Sequence, residues 1–392
     1  YPDVHRVTLD DNFRSSSGVV EVGRRVAQRN DPLRLDKHMV ASGHQAFDRG
    51  DIVALTFDDP DQEAAWIAER LAELHGVPFQ DTPGTEPRGL AWSDCAVLLR
   101  SVARSAEPIV NALKQADIPH IIGGLNNLFE APEIVAAATL FEYVAGAMPA
   151  SDVVDAWAAA DLGVARSSLE DAIDVLDEAR DFSAGERWSS YSIQRTFLSF
   201  LEAIDFREES VPPSATGNDR GEVVLYNLGK FSQLISDFEQ INFQSDPARK
   251  YESFVWWLRR DAPDFYEEGG ADAGYATPDA VQILTVHRAK GLQWPVVFVP
   301  ALQKNRFPSR RQGGRNVWHV LPREAVSKPE RYDGGIADET RLFYVATTRS
   351  QKYLSLTFAP SDSKQYRQPS PLFTAATSYP PVLTKPLPPV GD

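Results

Sequence analysis

The chain has 392 residues, a formal net charge of −15, 43% hydrophobic and 10% aromatic residues, and one cysteine, Cys95. That length argues for two or three domains, and the apolar content suffices for sizeable cores. The lone cysteine excludes an internal disulfide framework and fits a reducing, cytoplasmic location. No apolar run approaches the roughly 20 residues of a membrane span, so no membrane contact is expected. The first residues form no signal-peptide apolar segment, and the missing initiator Met makes a piece of a longer protein the expectation.

The charge is unevenly placed. Residues 151–280 hold 26 acidic and 11 basic side chains, while the remaining 29 acids and 29 bases cancel. From Val281 to Arg323 there is no Asp or Glu against eight Lys or Arg. A polyanion partner is decided by such a local field rather than by the net charge.

In chain order, His5–Leu9 reads as a short strand broken at Asp10-Asp11-Asn12. Ser15-Ser16-Ser17 can cap a helix whose stripe is Val19, Val20, Val22 and Val26. Ile52–Phe57 is a strand, and Glu63–Leu74 an amphipathic helix with Trp66, Ile67 and Leu71 on one face. Thr82–Arg88 is a loop. Cys95–Leu99 is a strand with Cys95 in the core, Ile109–Ala116 marks a helix, and Pro119–Ile122 a strand ended by Gly123-Gly124. This alternation predicts a parallel α/β sheet. Pro132 suits the first turn of a helix running to about Ala147.

From 149 to 278 the pattern is helical and acidic. Stripes at Val153–Ala160, Leu169–Leu176, Phe197–Ile204, Leu228–Phe238 and Phe254–Leu258 predict five helices, with loops at Pro212–Gly221 and Gly269–Pro278. Apolar strands resume at Val281–Val286 and Pro295–Val299, so the helical segment reads as an insertion into one α/β domain made of 1–148 and 279–373. Gln303–Asp338 is long and polar, Glu339–Arg349 is helical, and Tyr353–Phe358 is a last strand. The Pro-rich residues 374–392 read as an extended tail or linker.

Three places join an element's end to fixed charge: Arg14 after the first strand, the run His287-Arg288-Ala289-Lys290-Gly291, and Arg349 at a helix end. Singly, an arginine at a helix terminus is a capping or surface residue, and a His-Arg-x-Lys run is a solvated turn. Together, in this order on a parallel α/β pattern, they resemble the second motor half of the UvrD/Rep/PcrA family of superfamily 1 helicases. Asn12-Phe13-Arg14-Ser15 is similar to that family's fourth motif. Thr285-x-His287-Arg288-x-Lys290-Gly291-Leu292-Gln293-Trp294 is similar to its fifth. Glu339-x-Arg341-Leu342-Phe343-Tyr344-Val345-Ala346-x-Thr348-Arg349 is similar to its sixth. Gly123-Gly124 with Phe129 and Ile134 matches a further signature.

The resemblance implies a RecA-like α/β fold and the C-terminal part of an ATP-dependent 3′–5′ DNA helicase. Arg14 and Arg349 would act as catalytic cations on the γ-phosphate, which needs fixed charge where charge develops. Phe13 would stack on adenine, and Gln293, where the family has Glu, would approach the ribose. Thr285, His287 and Lys290 would contact single-stranded DNA. No G-x-x-x-x-G-K-[ST] phosphate loop occurs in the chain. ATP and Mg²⁺ are therefore expected in a full-length protein, through an N-terminal motor domain preceding this chain. This part alone is expected to bind neither tightly and to be inactive as an ATPase. Single-stranded DNA and DNA junctions are the implied partners. Two alternatives stand: part of a combined helicase–nuclease, and a non-catalytic scaffold that kept the motor fold.

Overall fold

The computed structural model describes residues 10–31, 39–122, 128–183, 192–214, 217, 219–241, 249–260, 262, 278–309, 322–327, 335–361 and 366–385. The expected strand at 5–9, Gly123-Gly124, most of the 269–278 loop, and Arg310, Arg311 and Arg315 lie outside them. The chain divides into two compact units. One joins Tyr1–His120 to Val281–Asp392, and the other is Ile121–Ala280.

Ten strands are described: β1 Asp11–Asn12, β2 Val40–Ala41, β3 Ile52–Thr56, β4 Pro78–Phe79, β5 Arg88–Gly89, β6 Cys95–Leu99, β7 His120–Ile122, β8 Val281–Thr285, β9 Trp294–Val299 and β10 Ser350–Phe358. The helices begin with α1 Ser17–Gln28, α2 Pro60–Leu74, α3 Val102–Ser105 and α4 Glu107–Gln115. They continue with α5 Pro132–Val144, α6 Ala150–Ala159, α7 Arg166–Asp171, α8 Ile173–Ser183, α9 Ile193–Ala203, α10 Gly221–Ile241 and α11 Lys250–Arg260, and close with α12 Ile336–Thr347 and α13 Pro371–Ala376.

The six-stranded sheet has the order β3-β10-β9-β6-β8-β7. The pairs β3–β10, β10–β9, β9–β6 and β6–β8 are all parallel. Strands covered on both faces must be apolar throughout, and every residue of β6 and β9 is buried. On one face Ile52, Ala54, Ala96, Leu98, Val297, Leu354 and Leu356 meet Val19, Val22 and Val26 of α1, Phe343 and Ala346 of α12, and Phe373 of α13. On the other, Phe298 meets Trp66 of α2 with ring centroids 6.2 Å apart. The result is the expected α/β sandwich of RecA type.

Parallel pairing fixes where the connections run. β8 ends at the carboxyl edge of the sheet and β9 begins at its amino edge, so Val286–Gln293 must cross the sheet's full height. In the same sense, α12 returns from the carboxyl edge to the amino edge, where β10 starts.

The helical unit is built on α5–α11. Phe141 of α5 sits at its centre, with ring centroids 5.0 Å from Phe254, 6.1 Å from Phe231 and 6.4 Å from Phe197. The Leu169–Leu176 stripe forms two helices rather than one, broken at Ala172.

The segment after Pro369 differs from an extended linker. Ser370 caps α13 by accepting the Leu372 amide at 3.1 Å, and Leu372, Phe373, Ala376, Tyr379 and Val382 are buried. Leu383 then pairs with β3, accepting the Ala54 amide at 2.7 Å and donating to Ile52 at 3.0 Å. Apolar residues between the prolines reach the core, and an edge strand offers open backbone groups to pair with.

Candidate functional site

Asn12 shapes the first part of the site. Its Oδ1 accepts the amides of Arg14 at 3.0 Å and Ser15 at 2.9 Å, an Asx turn that short amide side chains make locally. The turn is fastened to the start of β10. Ser15 Oγ donates to the Ser350 carbonyl at 2.8 Å, and the Ser16 amide to that of Gln351 at 2.8 Å. Arg349 immediately precedes β10, so the fold brings the two expected arginines together.

Arg349 is held by backbone rather than by carboxylates. Nη1 donates to the Leu292 carbonyl at 2.9 Å and Nε to that of Val345 at 3.2 Å. Burial, and then the nearby Arg14 charge, push its pKa down. Arg14 Nε is buried and lacks a hydrogen-bond partner. Among the described residues neither arginine forms an ion pair with Asp or Glu. Two half-buried cations beside each other, without a counter-ion, are costly. An anion with several acceptor oxygens reverses that cost through charge-assisted hydrogen bonds.

Phe13 is 70% exposed, and Gln293, next to Leu292, is also exposed. All four residues expected at the nucleotide therefore lie along the amino edge of the sheet. A mostly apolar cavity of about 190 Å³ adjoins them, lined by Asn12, Ser15, Val19, Gly23, Tyr344 and Thr348 among others.

The residues expected at DNA are spread along the crossover that leads to this edge. The Val286 amide donates to the Leu99 carbonyl at 2.9 Å, and the Ala289 amide to that of Thr285 at 3.2 Å. Thr285 is buried, and its hydroxyl accepts the Arg288 amide at 3.4 Å. It shapes the turn instead of offering a hydroxyl at the surface. His287 and Lys290 are exposed. Gly291, at φ +92°, closes the turn in a conformation that costs other residues about 1–2 kcal/mol.

Two groups carry no signal in hydrophobic patterning. Glu339 is 5% exposed and takes Arg100 in a forked pair, with Nη2–Oε1 2.9 Å and Nε–Oε2 3.1 Å. It also accepts the Ser309 amide at 2.9 Å. Glu63, the first residue of the expected amphipathic helix, is buried in α2 against β10. It accepts the Thr357 hydroxyl at 2.5 Å and the Ala301 amide at 3.1 Å. Burial pushes its carboxyl up to about 7, against those hydrogen bonds and the nearby Arg306 charge. Glu339 opens the stretch similar to the sixth motif, but its pairing with Arg100, and the burial of Glu63, show only in contacts between distant segments.

A model of the UvrD-like helicase C-terminal domain matches residues 7–146 and 175–361. DNA helicase II of Escherichia coli is 25% identical over 94% of this chain and 50% of its own length. ATP-dependent DNA helicase PcrA of Leuconostoc citreum is 24% identical over 92% of the chain and 47% of its own. An ATP-dependent helicase/nuclease subunit of Clostridium novyi is 25% identical over 76% of the chain and 28% of its own. The chain thus spans half or less of the length of these relatives. Among the described residues no helix is long and apolar enough to cross a membrane.

Proposed function

The chain belongs to the UvrD-like helicase C-terminal domain family, and from that premise we propose that it supplies half of an ATP site and half of a single-stranded DNA track in a 3′–5′ DNA helicase. The observation that carries the reading is the Arg14–Arg349 pair: two neighbouring guanidinium groups at one sheet edge, without carboxylate partners among the described residues. Such a pair fits the γ-phosphate of Mg²⁺-bound ATP presented by an N-terminal motor domain of the same protein. The arginines hold the phosphoryl oxygens as charge builds in transfer, which is how an arginine finger works. Phe13 offers an exposed ring to the adenine, and Gln293 an amide to the ribose. His287 and Lys290 donate to DNA phosphates from the turn that Thr285 holds.

Arg349→Ala in the full-length protein tests this. DNA-stimulated ATP turnover should fall by about 10³-fold or more, while single-stranded DNA affinity without nucleotide stays within twofold. Turnover within twofold of the unmodified protein overturns the assignment. The isolated chain should hydrolyse no ATP. A second reading follows from the likeness to the helicase/nuclease of Clostridium novyi: this motor half serves a helicase–nuclease. Mg²⁺-dependent degradation of DNA by the full-length protein separates it from a helicase without nuclease.

A further inference from the structure

We propose that Glu339 and Arg100 form a positioning clasp that sets Arg349 from the DNA-facing edge. The inference rests on the nucleotide role of Arg349 given above and concerns residues outside that role.

The geometry is a lever. Glu339 lies in the first turn of α12, and Arg349 follows that helix's last turn by two residues. About ten residues at 1.5 Å each separate the two along the helix, roughly 15 Å. At the Glu339 end the carboxylate gathers the segments that follow β6 and β9, two strands paired side by side in the sheet. Arg100 follows β6 directly, and Leu99 pairs in register with Thr285. The clasp therefore sits beside the turn that carries His287. Ser309, whose amide donates to the same carboxylate, lies in the segment that follows β9.

At the Arg349 end, the guanidinium is held by the carbonyl of Leu292, in the last stretch of the same crossover that carries His287. The carboxyl and amino edges are thus tied twice: by the crossover, and by α12 through the clasp. A displacement of Arg100 or of the β9 loop by bound DNA reaches Arg349 through a rigid helix. Fixing it needs a charged fork rather than an apolar contact, because forked Arg–carboxylate pairs set direction as well as distance. The site also suits an acid, which is favoured in a helix's first turn.

A residue that only stabilised the fold would lower the thermal midpoint, with turnover per folded molecule unchanged. A positioning residue changes turnover while ground-state binding stays. The test is Glu339→Gln in the full-length protein, which keeps shape and loses charge. DNA-stimulated kcat should fall at least tenfold, with KM for ATP and Kd for single-stranded DNA within twofold. Arg100→Gln removes the same pair from the less buried side and guards against a folding failure of the first variant. It should give the same loss, and the double variant should lose no more than either single one. Turnover within twofold in the folded variants, or additive losses in the double variant, overturns the clasp. Arg349→Ala is measured alongside. If it too leaves turnover unchanged, the nucleotide assignment fails, whereas a large loss there with none at Glu339 and Arg100 refutes the clasp alone.

Discussion

Buried charge governs this molecule at the scale of single residues. Glu63 receives the Thr357 hydroxyl and the Ala301 amide, both of which favour the carboxylate, yet burial outweighs them and raises its pKa from 4.5 to about 7. The folded state therefore holds a proton that the unfolded chain releases at lower pH. Stability from this group is complete below about 4.5 and is lost as pH rises through about 7. A shift of this size corresponds to about 3 kcal/mol at most. Glu63→Gln can still accept both hydrogen bonds and has no proton to lose. Urea denaturation at pH 5 and pH 8 should show the unmodified protein losing about 1–3 kcal/mol more than the variant. Equal losses would mean that Glu63 stays ionised throughout. Arg14 and Arg349 are the opposite case: burial beside a like charge disfavours the Arg349 cation, a cost that the proposed phosphate would offset.

Between elements, α1 packs closely against the C-terminal end of α12 beside the site. A Cβ at Gly23 would lie 2.8 Å from Thr348 Cγ2, which neighbours Arg349. Helix packing to this distance needs glycine, although glycine inside a helix costs about 1 kcal/mol in propensity. Gly23→Ala should therefore lose more through overpacking, about 1–3 kcal/mol, than it gains. It should also lower ATP turnover in the full-length protein by moving Thr348. A stabilised variant with unchanged turnover, measured by thermal melting and steady-state kinetics, would show that Thr348 yields freely. Gly23 carried no signal of its own in the sequence, because only the packing of α1 on α12 demands it. The strands were plainer: Cys95–Leu99 is a continuous apolar run, and Val281–Thr285 is apolar but for Gln282 and its terminal Thr285, because a parallel sheet buries both faces. The break at Ala172 was not legible, since Leu169, Ile173 and Leu176 keep helical spacing across it. Nor was the docking of Tyr379 and Val382, because the prolines around them speak only of local backbone. Arg14, Arg349 and His287 stood out as charges at element ends, whereas Arg100 and Glu339 needed the fold to bring residues 239 positions apart together.

For the whole molecule, the charge distribution matters more than its total. The acidic excess of residues 151–280 equals the net charge of the chain, and the exposed His287 and Lys290 lie outside that segment. The sheet unit, not the helical one, should therefore carry the salt dependence of DNA binding. Each phosphate neutralised on a single strand contributes about −0.7 to the slope of log K against log salt concentration. Lys290→Ala removes one permanent cation, so the slope should become shallower by about 0.7. His287→Ala should lower affinity through a lost hydrogen bond to phosphate. Titrations of the full-length protein with oligo-dT across a range of KCl concentrations measure this. A Lys290→Ala slope equal to that of the unmodified protein would mean that the turn is solvated and the track runs elsewhere.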